Sequence, residues 1–245
     1  KFTSFTSKQI GTFVHYNQDI MKLTYIFIIL FLSNSISAQL KTITDKTEYP
    51  FWINVPEKES TEKQPILIFL HGKSLSGTDL NRVRRYGVLR AMDKGRKIPA
   101  IVVAPQLAKG SWNPDKVLEV LEYVQKNYNT DSTRIYVCGM SLGGYGTLHF
   151  AGKHADKITA AVAICGGGNV SDGCKLGTIP LWIQHGDKDY IVPVSESEKV
   201  VNAIRKCNEK AKLIFTIIKG GNHGSVENIF HQDAMYNWLF EQKRE

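Results

Sequence analysis

The chain has 245 residues, 42% of them hydrophobic and 22% charged, a balance that fits one globular domain with a sizeable core and excludes a disordered or repeat protein. Its formal charge of +8 is spread along the sequence, with only Arg82-Arg84-Arg85 and Arg96-Lys97 as small clusters. No nucleic-acid-binding motif accompanies them, so the charge reads as a solvated basic face, with weak attraction to acidic polysaccharide or envelope surfaces as the alternative, and no nucleic-acid partner is expected.

The elements begin after a leader. Met21-Lys22 precedes the apolar run Leu23–Leu32 and then Ser33-Asn34-Ser35-Ile36-Ser37-Ala38-Gln39, the order of a basic start, an apolar centre and a small-residue cleavage site. This run of ten residues is about half of the roughly 20 that span a bilayer. Residues 21–38 are therefore expected to be a removed signal peptide and not a stable membrane anchor. Residues 1–20 are expected to be upstream sequence foreign to the native protein, and residues 39–245 the exported domain, secreted or periplasmic. Removing the leader takes away Lys1, Lys8, Lys22 and Asp19, leaving +6 of the +8 charges.

Along the domain, Phe51–Pro56 reads as an edge strand and Glu57–Pro65 as a polar turn. Apolar runs then recur at Ile66–Leu70, Ala100–Ala104, Ile135–Cys138, Ala160–Cys165, Leu181–Gln184 and Leu213–Ile218. Runs without alternation belong to strands buried on both faces, so the expected fold is α/β: a mostly parallel central sheet with helices on both sides. Helices are expected over Thr78–Asp93, from the cap signal Asn113-Pro114-Asp115 through Val124, and over Gly143–His154, Ser195–Cys207 and Phe230–Gln242.

The chemistry gathers where these runs stop. Gly139-Met140-Ser141-Leu142-Gly143 is a G-x-S-x-G segment between a strand and a helix. Glycines at 139 and 143 remove Cβ atoms that would collide in so sharp a reversal, so Ser141 can hold strained dihedrals and present its hydroxyl as a nucleophile. The N–H of Leu142 then stands at a helix N-terminus, where negative charge is stabilised. Later strands lead into His185-Gly186-Asp187-Lys188-Asp189 and Gly220-Gly221-Asn222-His223-Gly224. Serine, acid and histidine thus follow different strands, at the sheet end where such folds bind ligands. A histidine there takes and returns the serine proton, and a buried carboxylate fixes its tautomer.

Other constellations fail. Neither C-x-x-C nor H-E-x-x-H occurs, so no metal is expected. Gly72-Lys73-Ser74 lacks the glycine a phosphate loop needs at position 67, which is Leu67, and Gly166-Gly167-Gly168 meets Ser171 where a dinucleotide fingerprint needs its last glycine. No cofactor is expected. Export permits disulfides, and Cys138, Cys165, Cys174 and Cys207 allow three full pairings. Cys165 and Cys174 bracket a short glycine-rich loop that could close, whereas Cys138 lies inside a strand and reads as a buried thiol.

The order Ser141, acid, His223, with H-G-x-x-D followed by x-x-V-P at His185, Gly186, Asp189, Val192 and Pro193, resembles the α/β-hydrolase superfamily. Within it the chain is similar to exported serine esterases related to feruloyl esterases, carboxylesterases and polyhydroxybutyrate-depolymerase-like proteins, over about Phe51 to Trp238. The resemblance implies a catalytic triad of Ser141, Asp189 and His223, with Asp187 as the competing acid. It also implies an oxyanion hole from the N–H groups of Leu142 and Lys73, the latter in the loop His71-Gly72-Lys73-Ser74, and substrate contacts at Gln106 and Trp112. It implies hydrolysis of a small-molecule or carbohydrate-linked carboxylic ester, and leaves the oligomeric state open. Two alternatives share the fold. A peptidase of the prolyl-oligopeptidase type carries a large second domain, for which residues 39–245 are expected to leave no room, and a non-catalytic binding protein has typically lost a triad member. Finally, only Gly166–Pro180 separates the runs ending at Cys165 and beginning at Leu181. No cap domain fits there, so an open cleft suited to short or aromatic acyl groups is expected.

Overall fold

The structure, a computed structural model, describes residues 40–56 and 62–244. The expected leader 21–38, the preceding 1–20, the start at Gln39 and residues 57–61 of the polar turn lie outside the described residues. Among the described residues there are eight strands: β1 (Leu40–Ile43), β2 (Phe51–Asn54), β3 (Gln64–Leu70), β4 (Ile101–Pro105), β5 (Thr130–Met140), β6 (Ala160–Ile164), β7 (Leu181–Gly186) and β8 (Leu213–Ile218). The α-helices are α1 (Val88–Asp93), α2 (Pro114–Asn127), α3 (Leu142–Lys153), α4 (Gly173–Leu176), α5 (Ser195–Cys207) and α6 (Asp233–Glu241).

The strands form one sheet in the order β1-β2-β4-β3-β5-β6-β7-β8. From β4 to β8 every pairing is parallel, and β1 and β2 join antiparallel at one side. This corrects the expectation for Phe51–Pro56: β2 lies inside the sheet, because Leu40–Ile43, too short and too polar to announce itself, covers its outer side.

The unbroken apolar runs feed two cores. Ile66, Ile68 and Leu70 of β3 face a core shared with Val117, Val120 and Leu121 of α2, Leu148 of α3 and Val200 and Ile204 of α5. The alternate residues Leu67 and Phe69 face the other core, with Val88 of α1, Phe230, and Met235 and Leu239 of α6. Both faces of β3, β4 and β6 are thus sealed, which is why their runs carry no polar residue, whereas Leu213–Ile218, expected to be buried on both faces, is the edge strand β8 and leaves Ile214 and Ile217 exposed.

Helix α2 starts as expected: Asn113 caps it by accepting from the Asp115 N–H at 2.9 Å, with Pro114 in the first turn. The single helix expected over 78–93 is instead a 3-10 segment, Leu80–Arg85, and α1, divided at Gly87. Gly87 has φ 78°, and a Cβ there would lie 2.1 Å from the Phe69 ring, so core packing breaks the helix where no other residue fits. The helix expected over 230–242 is shorter as well, a 3-10 segment Ser225–His231 preceding α6 across the extended Gln232.

The connection between β6 and β7 contains only a 3-10 turn, Val170–Asp172, and the four-residue α4. A disulfide joins Cys174 of α4 to Cys207 at the end of α5, and Cys138 and Cys165 are buried free thiols. The closure considered between Cys165 and Cys174 is thereby corrected: α4 packs on α5 and brings Cys174 to Cys207, with Cα atoms 5.2 Å apart. Among the described residues no helix is long and apolar enough to cross a membrane.

Candidate active site

Ser141 occupies the single residue between β5 and α3, with φ 59° and ψ −123°. Two close approaches impose that turn. A Cβ on Gly143 would lie 1.8 Å from the Leu70 carbonyl oxygen, and one on Gly139 would lie 2.4 Å from the carbonyl oxygen of Gly143. Only glycine at both places lets α3 start so close to β3 and β5. The Ser141 N–H is tied to the Ile164 carbonyl at 2.9 Å, which anchors the strained residue to the neighbouring strand.

β7 and β8 deliver the partners. The Asp189 carboxylate is buried, and its Oδ1 accepts from the N–H groups of Ile191 and Val192, each at 2.9 Å. Its Oδ2 accepts from His223 Nδ1 at 2.7 Å, and His223 Nε2 lies 3.0 Å from Ser141 Oγ. With its proton on Nδ1, facing the carboxylate, the imidazole offers the Nε2 lone pair to the serine hydroxyl. Burial alone would raise the Asp189 carboxyl, but the Val192 N–H, His223 and the Ile191 N–H outweigh it and hold the group below the usual carboxylate range. Asp187, the competing acid, is exposed and accepts from the Gly220 N–H at 2.7 Å, bracing the β8 turn away from the histidine ring.

Ser141 and His223 open into a cleft of about 740 Å³ whose lining includes Lys73, Ser74, Tyr86, Glu227, Leu142, Tyr145, Ile191 and Val192. Leu142 opens α3 and Lys73 opens a 3-10 turn, Lys73–Leu75. Each N–H therefore stands where a helical segment supplies no partner of its own.

Trp112 and Gln106 are placed differently from the expectation. Trp112 is 3% exposed; its Nε1–H donates to the His71 carbonyl at 3.1 Å, and its ring fills the space beside Gly146, where a Cβ would be 2.6 Å away. Gln106 is buried, and its amide donates to the carbonyls of Leu75 and Gly77 at 2.9 and 2.7 Å. Both hold the 71–77 loop from beneath and neither lines the cleft. His71 belongs to the same support: Nδ1 donates to the Gly72 carbonyl at 2.8 Å and Nε2 accepts from the Leu107 N–H at 3.0 Å. Burial pushes its pKa down to about 4, so it stays neutral.

Tyr86 was not legible as a site residue. Its hydroxyl meets Ser74 Oγ at 3.1 Å, and a Cβ on Gly72 would lie 2.7 Å from that hydroxyl and 3.4 Å from Ser141 Cβ. The glycine of the H-G pair thus makes room for a phenol beside the serine. The one sequence signal is Gly87 directly after it, and that glycine answers to Phe69.

Comparisons with known proteins bear on the fold. The profile of the prolyl oligopeptidase family matches residues 104–172. A bifunctional acetylxylan esterase/xylanase of Neocallimastix patriciarum is 33% identical over 91 residues, 37% of this chain and 13% of that protein. A thermostable esterase of known structure is 30% identical with a TM-score of 0.74, over 84% of this chain and 63% of its own. The feruloyl esterase module of Clostridium thermocellum, 14% identical, superposes with a TM-score of 0.62 over 83% of this chain and 89% of that module. The chain thus spans less than two thirds of the first two relatives. The mostly parallel sheet flanked by helices and these superpositions together show that this chain has the α/β-hydrolase fold.

Proposed function

We propose that the protein is a serine esterase that cleaves carboxylic esters of short or aromatic acids, on small molecules or carbohydrate, through an acyl-enzyme on Ser141. The observation that carries this reading is the unbroken series Asp189 Oδ2, His223 Nδ1, His223 Nε2 and Ser141 Oγ, ending at an open cleft. Ser141 Oγ attacks the ester carbonyl as its proton passes to His223 Nε2, and Asp189 balances the charge of the imidazolium. The carbonyl oxygen, now an anion, takes the N–H groups of Leu142 and Lys73. Collapse expels the alkoxide, which leaves as the alcohol with the proton from His223. Water then repeats the sequence on the acyl-enzyme, releasing the acid.

The relatives named as esterases support the substrate class. The apolar run Leu23–Leu32 before a small-residue site supports export, with a mature chain beginning at Gln39. The prolyl oligopeptidase match supports one second reading, hydrolysis of peptide amides by the same three residues.

A fluorophosphonate probe and matched p-nitrophenyl acetate and p-nitroanilide substrates test the proposal. The expected result is covalent labelling of the peptide containing Ser141 and turnover of the ester far above the anilide. Anilide turnover equal to or above that of the ester would favour the peptidase. Absence of both labelling and turnover would leave a binding protein.

A further inference from the structure

The proposed mechanism leaves one buried nucleophile beside the triad without a task. In the sheet order β6 lies between β5, which carries the serine, and β7, which carries the acid. The residue that follows β6 must therefore sit between nucleophile and acid, and here it is Cys165, fully buried and in a left-handed conformation with φ 37°. Its Sγ, a ring nitrogen of His223 and a carboxylate oxygen of Asp189 all lie within 4.8 Å of one another. Packing alone asks only for a small residue at such a place. A thiol, an imidazole and a carboxylate converging on one point are the donor set of a thiol-seeking divalent ion.

We propose that Cys165, His223 and Asp189 form an inhibitory binding site for zinc or cadmium, which switches the enzyme off by taking the triad's own base and acid as ligands. Ligand bonds of about 2.0–2.3 Å to zinc set neighbouring ligand atoms roughly 3.3–3.6 Å apart. The 2.7 Å contact between His223 and Asp189 must therefore open. His223 is able to move, since its side chain is 22% exposed while that of Asp189 is fully buried. Coordination through Nδ1, the nitrogen that faces Asp189, breaks the Nδ1–H···Oδ2 hydrogen bond and transfers the imidazole proton to Nε2. The Cys165 S–H bond breaks, sulfur binds the metal, and one proton leaves to solvent. Nε2 then carries a hydrogen and cannot accept the Ser141 proton. The Cys165 thiol is fully buried, so only an ion with strong affinity for sulfur takes it as a ligand. Calcium and magnesium, which prefer oxygen, should be without effect.

The inference rests on the esterase reading only in its activity arm, and the binding arm does not need turnover. Ser141→Ala protein is titrated with cadmium chloride while the thiolate-to-cadmium charge-transfer absorption is followed in the ultraviolet. One cadmium per chain is expected. The band should vanish when Cys165→Ser or Cys165→Ala is added, and persist when Cys138→Ser is added, because Cys138 is the other free thiol. In otherwise unaltered enzyme, zinc should inhibit hydrolysis of p-nitrophenyl acetate and EDTA should restore it. Both Cys165 variants should keep their basal kcat/KM and need about tenfold more zinc or beyond, one lost ligand being worth at least that factor. A cadmium band that survives both Cys165 substitutions, or unchanged zinc sensitivity in either folded variant, overturns the proposal. A normal band in a protein that hydrolyses no ester would refute the esterase reading and leave the metal site standing.

Discussion

His185 Nε2 lies 3.6 Å from Asp189 Oδ2, with both side chains completely shut off from solvent. The same nitrogen donates to the Val192 carbonyl at 2.8 Å, while the Val192 N–H donates to Asp189 Oδ1. On the far side of the ring, Nδ1 meets Ser197 Oγ at 2.7 Å, and that hydroxyl donates to the Gly166 carbonyl at 2.8 Å. One imidazole therefore ties the acid loop to α5 and to the segment after β6. His185→Ala should leave buried polar partners unpaired and cost about 1–3 kcal/mol of stability, read by urea unfolding. A loosened acid loop should also lower kcat by about tenfold to a hundredfold with little change in KM. His185→Gln, which restores a donor, should recover part of both losses.

Asp189 and Asp187 share a loop and differ in what they face. Asp189→Asn should lower kcat by about 10⁴, because an amide in place of the carboxylate favours the wrong histidine tautomer. Ser141→Ala or His223→Ala should cost at least as much, and combining the two should add little, because the residues act as a unit. Asp187→Asn should stay within a few-fold of the parent enzyme, its bond to the Gly220 N–H being open to an amide oxygen as well. Steady-state kinetics on the four single variants checks this, and a crippled Asp187→Asn beside an active Asp189→Asn would reverse the assignment.

These contrasts mark which parts of the molecule were legible in the sequence. The serine turn, the acid loop and the histidine loop are local motifs: a few consecutive residues dictate the backbone, and the strand before each sets its position. The cleft lining is not local. Trp112 and Gln106 follow β4 at the correct end of the sheet, but whether they point up into the cleft or down under the 71–77 loop depends on where that loop folds. Tyr86 reaches the serine only because α1 is broken off at Gly87, and that break answers to Phe69, far away in sequence. The cysteine pairing depended on the packing of α4 against α5, which no spacing records.

Asp131 sets an acid limit on stability. Burial would raise its carboxyl, but the Thr133 hydroxyl, Arg134 and the Thr133 N–H outweigh that and hold it down to about 2. A group depressed in the folded state contributes stability that is complete above its unfolded value, about 3.9, and that disappears as pH falls through the folded value. Asp131→Asn should therefore be less stable than the parent at pH 5 and nearly equal to it at pH 2. Urea midpoints measured across that window check the convergence.

The short connection from β6 to β7 limits the acyl group. A turn and four helical residues over 166–180 provide no cover for a long chain above Ser141, and each buried methylene would be worth about 0.8 kcal/mol. In an open cleft that gain stops after the first few carbons. The ratio kcat/KM for p-nitrophenyl esters should fall from acetate or butyrate to palmitate, and a rise toward the long chains would sink this view of the cleft.

The Cys174–Cys207 bridge spans 33 positions, and β7, the acid loop and α5 all lie within that span. The segment that carries Asp189 is thus a covalent ring, closed whether or not the rest of the chain is folded, and such a closure is worth about 3–4 kcal/mol of chain entropy by loop length alone. Tyr190, at the outer tip of the ring, is 87% exposed. Backbone cleavage after Tyr190 opens the ring without releasing either piece. The severed acid loop stays tethered to both flanks, and the chain comes apart in two only when the sulfurs are reduced. In an oxidising environment, the most exposed aromatic beside the cleft can be cut without the molecule losing its acid.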